Sequence, residues 1–491
     1  MIKMVIVIGS GVGSMATAIR LADQGYTVEV FEKNPAPGGK MSEIRGKGYR
    51  FDTGPSLFTL PGLVDELPAK DEKLKYRKLQ TVSKYFFPDG KIFTAPAEPE
   101  DFSRDLAKAA GEDQNKVMRY LGSVAKLYDL TAPLFIFNSF HRLKNLLKQD
   151  NLSVLTAMLR FNPMRSMHRH NIKFLESEKA VQIFDRYATY NGSNPFEAPA
   201  TLNMIAHLEH NIGAYFPEGG MYSIVKHLYQ VALSKKVTFH FEHEVSEICI
   251  EGNRAVGVIA NGKKHSADIV VSGGDVFRTY RNLLKQTRPH RSVRKPRFSS
   301  SAMIFYLGVK KTFSELDIHN LFFTGDYRGE FKNLFSKKEA SAFKDPTVYV
   351  YNSSIIEKGD APPGCSNLFV MINVPADQGE DWDTLAHNSR AIIFEKLKRE
   401  HGLDIEPDIE FERVGTPKTI GSNTLTTAGA LYGNNSNSIL SAFNRHPNFS
   451  NKIKNLFFAG GSVHPGGGIP LCLASAKIVE EEVLLYDKKR L

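Results

Sequence analysis

The spacing of apolar residues changes several times along the chain, and each change predicts an element. Residues 3–8, KMVIVI, form a continuous β-branched run, which predicts a strand buried on both faces of a parallel sheet. GSGVGS then breaks the pattern, and MATAIRLADQ has helical spacing, with Ala16, Ile19 and Leu21 on the apolar side and Gly25 as the stop. TVEVFE reads as a second strand, and GYRFDTGPSLF as a further strand entering a loop at Gly54 and Pro55. Residues 237–273 alternate strand signals with turns at EGN and NGK. Three β-rich runs, SSAMIFYLGV, TVYVYNSS and NLFVMINVP, fall within residues 296–449 and suggest a sheet walling a cavity. Residues 100–210 are mostly helical in pattern. Within them, TAPLFIFNSFHRLKNLLKQ (131–149) is apolar in its first half and basic in its second, and LSVLTAMLRFNPMRSMHRH (152–170) repeats the arrangement, with Pro163 expected to interrupt or end its helix.

Length and composition narrow the classes. A chain of 491 residues exceeds one simple core and predicts about two to three domains. The net charge of +10 invites an anionic partner, and the basic residues gather in 141–173 and 281–297. No zinc finger or RRM signature accompanies them, so nucleic acid is not expected, and an anionic membrane surface is the better partner. The N-terminal apolar run stops at Gly9, too short for a signal peptide, and no stretch approaches the roughly 18 to 20 apolar residues of a spanning helix. Cys249, Cys365 and Cys472 are too scattered for a disulfide framework or a zinc site. The expectation is a cytoplasmic protein, peripheral to the membrane, with no metal centre.

The first strand, glycine turn, helix and second strand form the βαβ unit that holds a dinucleotide. Gly9 permits the tight turn, Gly11 lets backbone approach a pyrophosphate, and the helix N-terminus offers N–H groups to that anion. Ser14 stands where the third glycine is expected, with Gly13 before it. Glu32 ends the second strand, where a carboxylate can accept both ribose hydroxyls. An acid at that place fits NAD and FAD alike. A second glycine cluster, AGGSVHPGGGIPLCLASAK, lies at residues 459–477 and leads into a helix.

Four stretches carry a resemblance to the FAD-dependent amine-oxidase-like superfamily, and within it to the bacterial carotenoid desaturases. They are VIGSGVGSMATAIRLADQGYTVEVFEKNPAPGGK, GYRFDTGPSLFTLP, YFPEGGMYSIVKHL and NLFFAGGSVHPGGGIPLCLASAKIV. Weaker similarity in DIVVSGGDV and FYLGV extends it over almost the whole chain, and the narrower likeness is to hydroxycarotenoid 3,4-desaturases. The resemblance implies an α/β fold: a discontinuous Rossmann-type FAD-binding domain (1–85, 211–295 and 450–491), a mainly helical, membrane-facing insertion (86–210), and a mixed β-sheet substrate domain (296–449). It also implies the cofactor contacts. Gly9, Ser10, Gly11, Val12, Gly13 and Ser14, with Glu32 and Lys33, would hold the adenosine diphosphate half. Gly38, Gly39 and Lys40 would approach the pyrophosphate and ribityl chain, and Val245 would meet adenine with its backbone. Gly54, Pro55 and Ser56 would lie under the isoalloxazine, Gly460 and Gly461 would pass the ribityl, and Gly468, Ile469 and Pro470 would face the flavin's pyrimidine edge.

The implied reaction is desaturation of a long apolar carotenoid by hydride transfer to flavin N5 and loss of a proton, with a quinone or oxygen as electron acceptor. The likeness to hydroxycarotenoid 3,4-desaturases implies 3,4-desaturation of a 1-hydroxylated or monocyclic substrate. A carotenoid oxygenase or ketolase, a flavin-dependent isomerase and a non-enzymatic isoprenoid carrier stay open beside it. Covalent flavin attachment, frequent in amine oxidases, is not expected, because Cys472 follows the C-terminal glycine turn. No residue earns a catalytic assignment. His464 reads as a turn-shaping side chain, Glu218 as a turn acid bonded to backbone N–H groups, Asp52 similarly, Asp185 as an ion-pair partner of Arg186, and Cys472 as a small buried hydrophobe.

Overall fold

The computed structural model describes residues 2–69, 73–142, 165–284, 287–336, 343–438 and 441–488. Its first layer is a five-stranded parallel sheet in the order Leu456–Phe458, Ile269–Ser272, Met4–Ile8, Thr27–Phe31, Thr238–His240. Met4–Ile8 is the central strand. Val5 and Val7 pack on one face against the helices Val12–Asp23, Tyr222–Ser234 and Ile469–Lys488. Ile6 and Ile8 pack on the other, against the antiparallel sheet of Val245–Glu251, Arg254–Ala260 and Lys263–Ser266. A strand covered on both faces has no polar side to show, hence the unbroken apolar run. The hairpins of the smaller sheet turn at the expected EGN and NGK positions.

A second, seven-stranded sheet runs Ile409–Gly415, Ser301–Val309, Ser366–Val374, Val348–Asn352, His319–Phe322, Thr81–Phe86, Ile92–Pro96. All its pairs are antiparallel except His319–Phe322 with Thr81–Phe86. The period of two decides its faces. Phe305, Leu307, Val350 and Val370 bury against the helix Trp382–His401, while Ile304, Tyr306, Phe369 and Met371 point the other way, into a cavity. The division expected at residue 85 cuts through this sheet, because the buried side chains of Val82, Tyr85 and Phe93 recruit residues 81–96 as its last two strands.

The helices Pro99–Ala110, Gln114–Phe135, Met167–Phe174 and Glu178–Asp185 pack on the edge formed by Tyr85 and Phe93. The helix expected from residue 131 is instead the end of Gln114–Phe135, with Pro133 in its last turn. Leu134, Ile136 and Phe140 are buried, so this apolar half is a core face. The basic half beyond Arg142, and the repeat through Met164 including Pro163, lie outside the described residues. Among the described residues no helix is long and apolar enough to cross a membrane.

The N- and C-terminal glycine clusters touch. A Cβ added at Gly13 would lie 2.9 Å from Gly460 Cα and 3.3 Å from the Cys472 carbonyl oxygen. Gly13→Val should therefore lower stability by about 1–3 kcal/mol, the usual range for overpacking. The check is a lower denaturation midpoint at unchanged slope; an unchanged midpoint would contradict the contact.

Candidate cofactor and active site

One cavity of about 1040 Å³ lies between the two sheets. Every residue expected at the cofactor lines it: residues 9–14, Glu32 and Lys33, residues 38–40 and 54–56, Val245, Gly460, Gly461, and residues 468–470. These residues, expected from the resemblance, come from five parts of the chain and line one cavity.

The nucleotide end is shaped by what it leaves unsatisfied. The first helix starts at Val12, not at Met15 as its apolar spacing suggests, because the glycine turn itself supplies its first turn. Gly11 is the N-cap, no side chain caps the helix, and no acid occupies its first turn. Its leading N–H groups are therefore available to an anion. Ser14 Oγ, on the same turn, is buried with no hydrogen-bond partner. Glu32 Oε2 accepts from Ser10 N and Ser10 Oγ, both at 2.8 Å, and Oε1 accepts from Asn34 N at 2.9 Å. That leaves further lone pairs on a carboxylate that lines the cavity. A Cβ added at Gly11 or Gly468 would meet nothing within 4 Å. Uncapped N–H groups, an orphan hydroxyl, a carboxylate and two side-chain-free approaches fit a dinucleotide with a pyrophosphate and a ribose.

The turn at residues 38–40 is fixed from both sides. Gly54, at φ +85°, comes so close that a Cβ there would lie 2.4 Å from the Lys40 carbonyl oxygen. Lys40 Nζ donates to the carbonyl of Leu431, and Lys33 Nζ donates to that of Ser422 at 3.0 Å. Burial holds the Lys40 ammonium below its usual range. The helix Pro417–Thr424 that follows strand Ile409–Gly415, and the loop at Leu431 beyond it, thus close over Lys33 and Lys40, which sequence did not indicate.

Four of the acid and base candidates, Glu218, Asp52, Asp185 and His464, lie off the cavity. Glu218 is exposed and off the cavity. The turn N–H groups expected to bond it go to Asp52 instead, from Met221 N at 2.8 Å and Tyr222 N at 2.9 Å. Asp52 also pairs with Arg50 at 2.6 Å, and burial raises its carboxyl. Asp185 pairs with His168 at 2.7 Å and Asn171 at 2.8 Å, not with Arg186, which points to Glu209 across 2.8 Å. His464 is buried, and its Nε2 meets the Asn138 carbonyl at 2.9 Å, so it shapes the turn; burial pushes its imidazole down to about 3. Cys472, expected to be a small buried hydrophobe, is instead partly buried and lines the cavity at the start of the last helix, and desolvation pushes its thiol up to about 11.

Groups that sequence reasoning missed line the same cavity. Asp275 caps a short helix and accepts from Thr427 Oγ1 at 2.9 Å; its signal lay in the weakly similar DIVVSGGDV. Arg186 bonds Tyr85, Tyr190 and Glu209, while Glu209 also accepts from Tyr187 and Tyr190. Burial opposes its charge, but the Arg186 guanidinium holds Glu209 below the usual carboxylate range. Ser56 Oγ and His319 Nδ1 each lie 2.7 Å from Tyr349 OH. Glu330 accepts from Thr347 N and Oγ1, and burial raises its carboxyl to about 7. Apolar side chains fill the wall between: Ile304, Leu321, Phe331, Leu334, Phe369 and Met371.

An anion cradle opening onto a mostly apolar chamber suits a dinucleotide-dependent oxidoreductase, and the family match makes it an FAD-dependent one. The model of the flavin containing amine oxidoreductase family matches residues 15–484, and the chain belongs to that family. Its full-length relatives place it in the carotenoid desaturase branch. It is 44% identical to a 1-hydroxycarotenoid 3,4-desaturase of Flavobacterium sp. (strain P99-3), over 98% of both chains. It is 30% identical to a 4,4'-diapolycopene oxygenase of Methylomonas sp, over 98% of both. Among solved structures it resembles an oxidoreductase from Methanosarcina mazei, at 16% identity and a TM-score of 0.64 over 97% of this chain and 100% of the other, a likeness of fold.

Two outcomes follow from this geometry. Glu32→Ala should weaken FAD binding by about tenfold or more, since hydrogen bonds to a charged acceptor are lost; flavin-fluorescence titration reads this, and unchanged affinity would contradict the site. For Glu330, the folded carboxyl titrates near 7 and the unfolded one near 4.5. Between those values the unfolded chain has released a proton that the native state keeps, so stability falls as pH rises through the window. Relative to Glu330→Gln, wild type should lose about 3 kcal/mol between pH 4 and pH 8. A pH-independent difference in denaturant stability would be inconsistent with the buried acid.

Proposed function

We propose that the protein desaturates a carotenoid polyene, forming the C3–C4 double bond of a substrate hydroxylated at C1. The observation that carries this reading is a single cavity in which the cofactor cradle opens onto an apolar wall, in a chain 44% identical to a 1-hydroxycarotenoid 3,4-desaturase. Residues 9–14 and Glu32 would hold the adenosine diphosphate, residues 38–40 with Gly460 and Gly461 would flank the ribityl chain, and Gly468 and Ile469 would offer backbone N–H groups to the ring edge, Pro470 having none. Flavin held there would supply two-electron chemistry, the acceptance of a hydride from an allylic carbon as the neighbouring carbon loses a proton to solvent. The residues of this chain then have two tasks. Ile304, Phe369 and Met371 align the polyene and keep water out, and the rigid loop at residues 54–56 fixes where its reacting bond rests. A substrate dissolved in lipid and a net charge of +10 support docking at an anionic membrane surface, with a quinone or oxygen as the terminal acceptor.

A second reading, oxygen insertion, is favoured by the 30% identity to a 4,4'-diapolycopene oxygenase. Anaerobic incubation of FAD-loaded protein with liposome-dispersed hydroxylated carotenoids separates the two. Desaturation predicts flavin bleaching together with a red-shifted polyene spectrum. An altered polyene with oxidised flavin would point to isomerisation, and a product that forms only with oxygen and carries its isotope label would point to oxygenation.

A further inference from the structure

The apolar wall is interrupted beside the loop at residues 54–56. There Ser56 Oγ, Tyr349 OH and His319 Nδ1 form a chain, each step 2.7 Å. All three residues line the cavity. The chain runs from the loop locked onto the cofactor turn into the strands Val348–Asn352 and His319–Phe322. Its far atom, His319 Nε2, has no partner in the protein, although His319 is only 2% exposed. Such an unpaired atom is unfavourable unless something else meets it.

The neighbouring polar groups do not meet it. Arg186, Tyr190 and Glu209 spend their hydrogen bonds on one another and on Tyr85 and Tyr187. Burial pushes the His319 imidazole down to about 3, so the ring is neutral and carries one proton. If Tyr349 donates to Nδ1, then Ser56 donates to Tyr349 and Nε2–H is a donor. If Nδ1–H donates to Tyr349, then Tyr349 donates to Ser56 and Nε2 is an acceptor. A hydroxyl, which gives and takes, satisfies either arrangement. The bare end of a polyene satisfies neither.

We infer that His319, held by Tyr349 and Ser56, receives the substrate hydroxyl and so selects hydroxylated carotenoid ends. This rests on the proposed desaturation. In a 1-hydroxylated substrate reacting at C3–C4, the hydroxyl-bearing carbon is two carbons from the nearer reacting atom. Its partner must therefore lie beside the place where the reacting bond is held, as a chain anchored at Ser56 does.

The test uses FAD-loaded protein and two carotenoids of equal conjugation, with and without the terminal hydroxyl. Turnover and equilibrium binding are both followed, and flavin content and Tm check the fold. His319→Phe should cut kcat/KM for the hydroxylated substrate by about tenfold or more, mainly through KM, and leave the other within about twofold. His319→Gln should restore part of the loss, and Tyr349→Phe should reproduce a smaller one. Equal loss on both substrates, or none on either, would overturn the inference. If wild type turns over neither carotenoid, the desaturation reading fails. The binding arm still decides for His319, because a hydroxyl preference that disappears in His319→Phe supports it and an unchanged preference removes it.

Discussion

The backbone contact between Gly13 and Gly460 is the constraint on which the site depends. It joins the first turn of the first helix to the turn that precedes the last one, across almost the whole chain. A side chain at Gly13 would hold these turns apart, and the C-terminal cluster could no longer close the cavity opened by the N-terminal one. Around that contact the same economy recurs. Ser14 sits against Gly273, where a Cβ would lie 1.7 Å from its Oγ, and Asn448 ties the carbonyls of Phe458 and His464 to Ser475 Oγ. Glycines are crowded at the two ends because backbone must meet backbone there and then face a cofactor.

The two sheets divide the work. The parallel sheet, buried on both faces, fixes the nucleotide end, and the seven-stranded sheet lends one face to its own core and the other to the cavity. That second face is largely apolar, and one of its polar patches, Tyr349 with His319, lies beside residues 54–56. A buried, mutually satisfied network of Arg186, Glu209 and tyrosines keeps strong charge next to the chamber without presenting an unpaired ion to it. An amine-oxidase scaffold arranged in this way would suit a substrate with almost nothing for charges to hold.

Legibility in sequence followed the range of the forces involved. The βαβ unit was readable because burial of a central strand, a glycine turn and an acid all act within residues 4–32. Gly460, Gly461 and residues 468–470 of the second glycine cluster, with residues 38–40 and 54–56, were placed by family resemblance, and all of them line the cavity. What stayed hidden was set by distant pairing. Asp52 accepts backbone N–H groups as its sequence reading expected, but those it takes belong to the turn assigned to Glu218, because folding brings strand Tyr49–Thr53 beside Met221 and Tyr222. Asp185 pairs with His168, leaving its neighbour Arg186 for Glu209, since successive helical residues point in different directions. His319 and Tyr349 carry no local motif, and only the pairing of their strands brings them together beside Ser56.

The central claim is that glycine turns from both ends of one chain close on one flavin. Hydrogen exchange of the apoprotein, with FAD and separately with ADP, tests it most directly. FAD should protect amides of residues 9–14 and of residues 460–470 together, while ADP should protect the first group alone. Protection confined to residues 9–14 with both ligands would contradict the account, because the C-terminal turn would then play no part in holding the flavin.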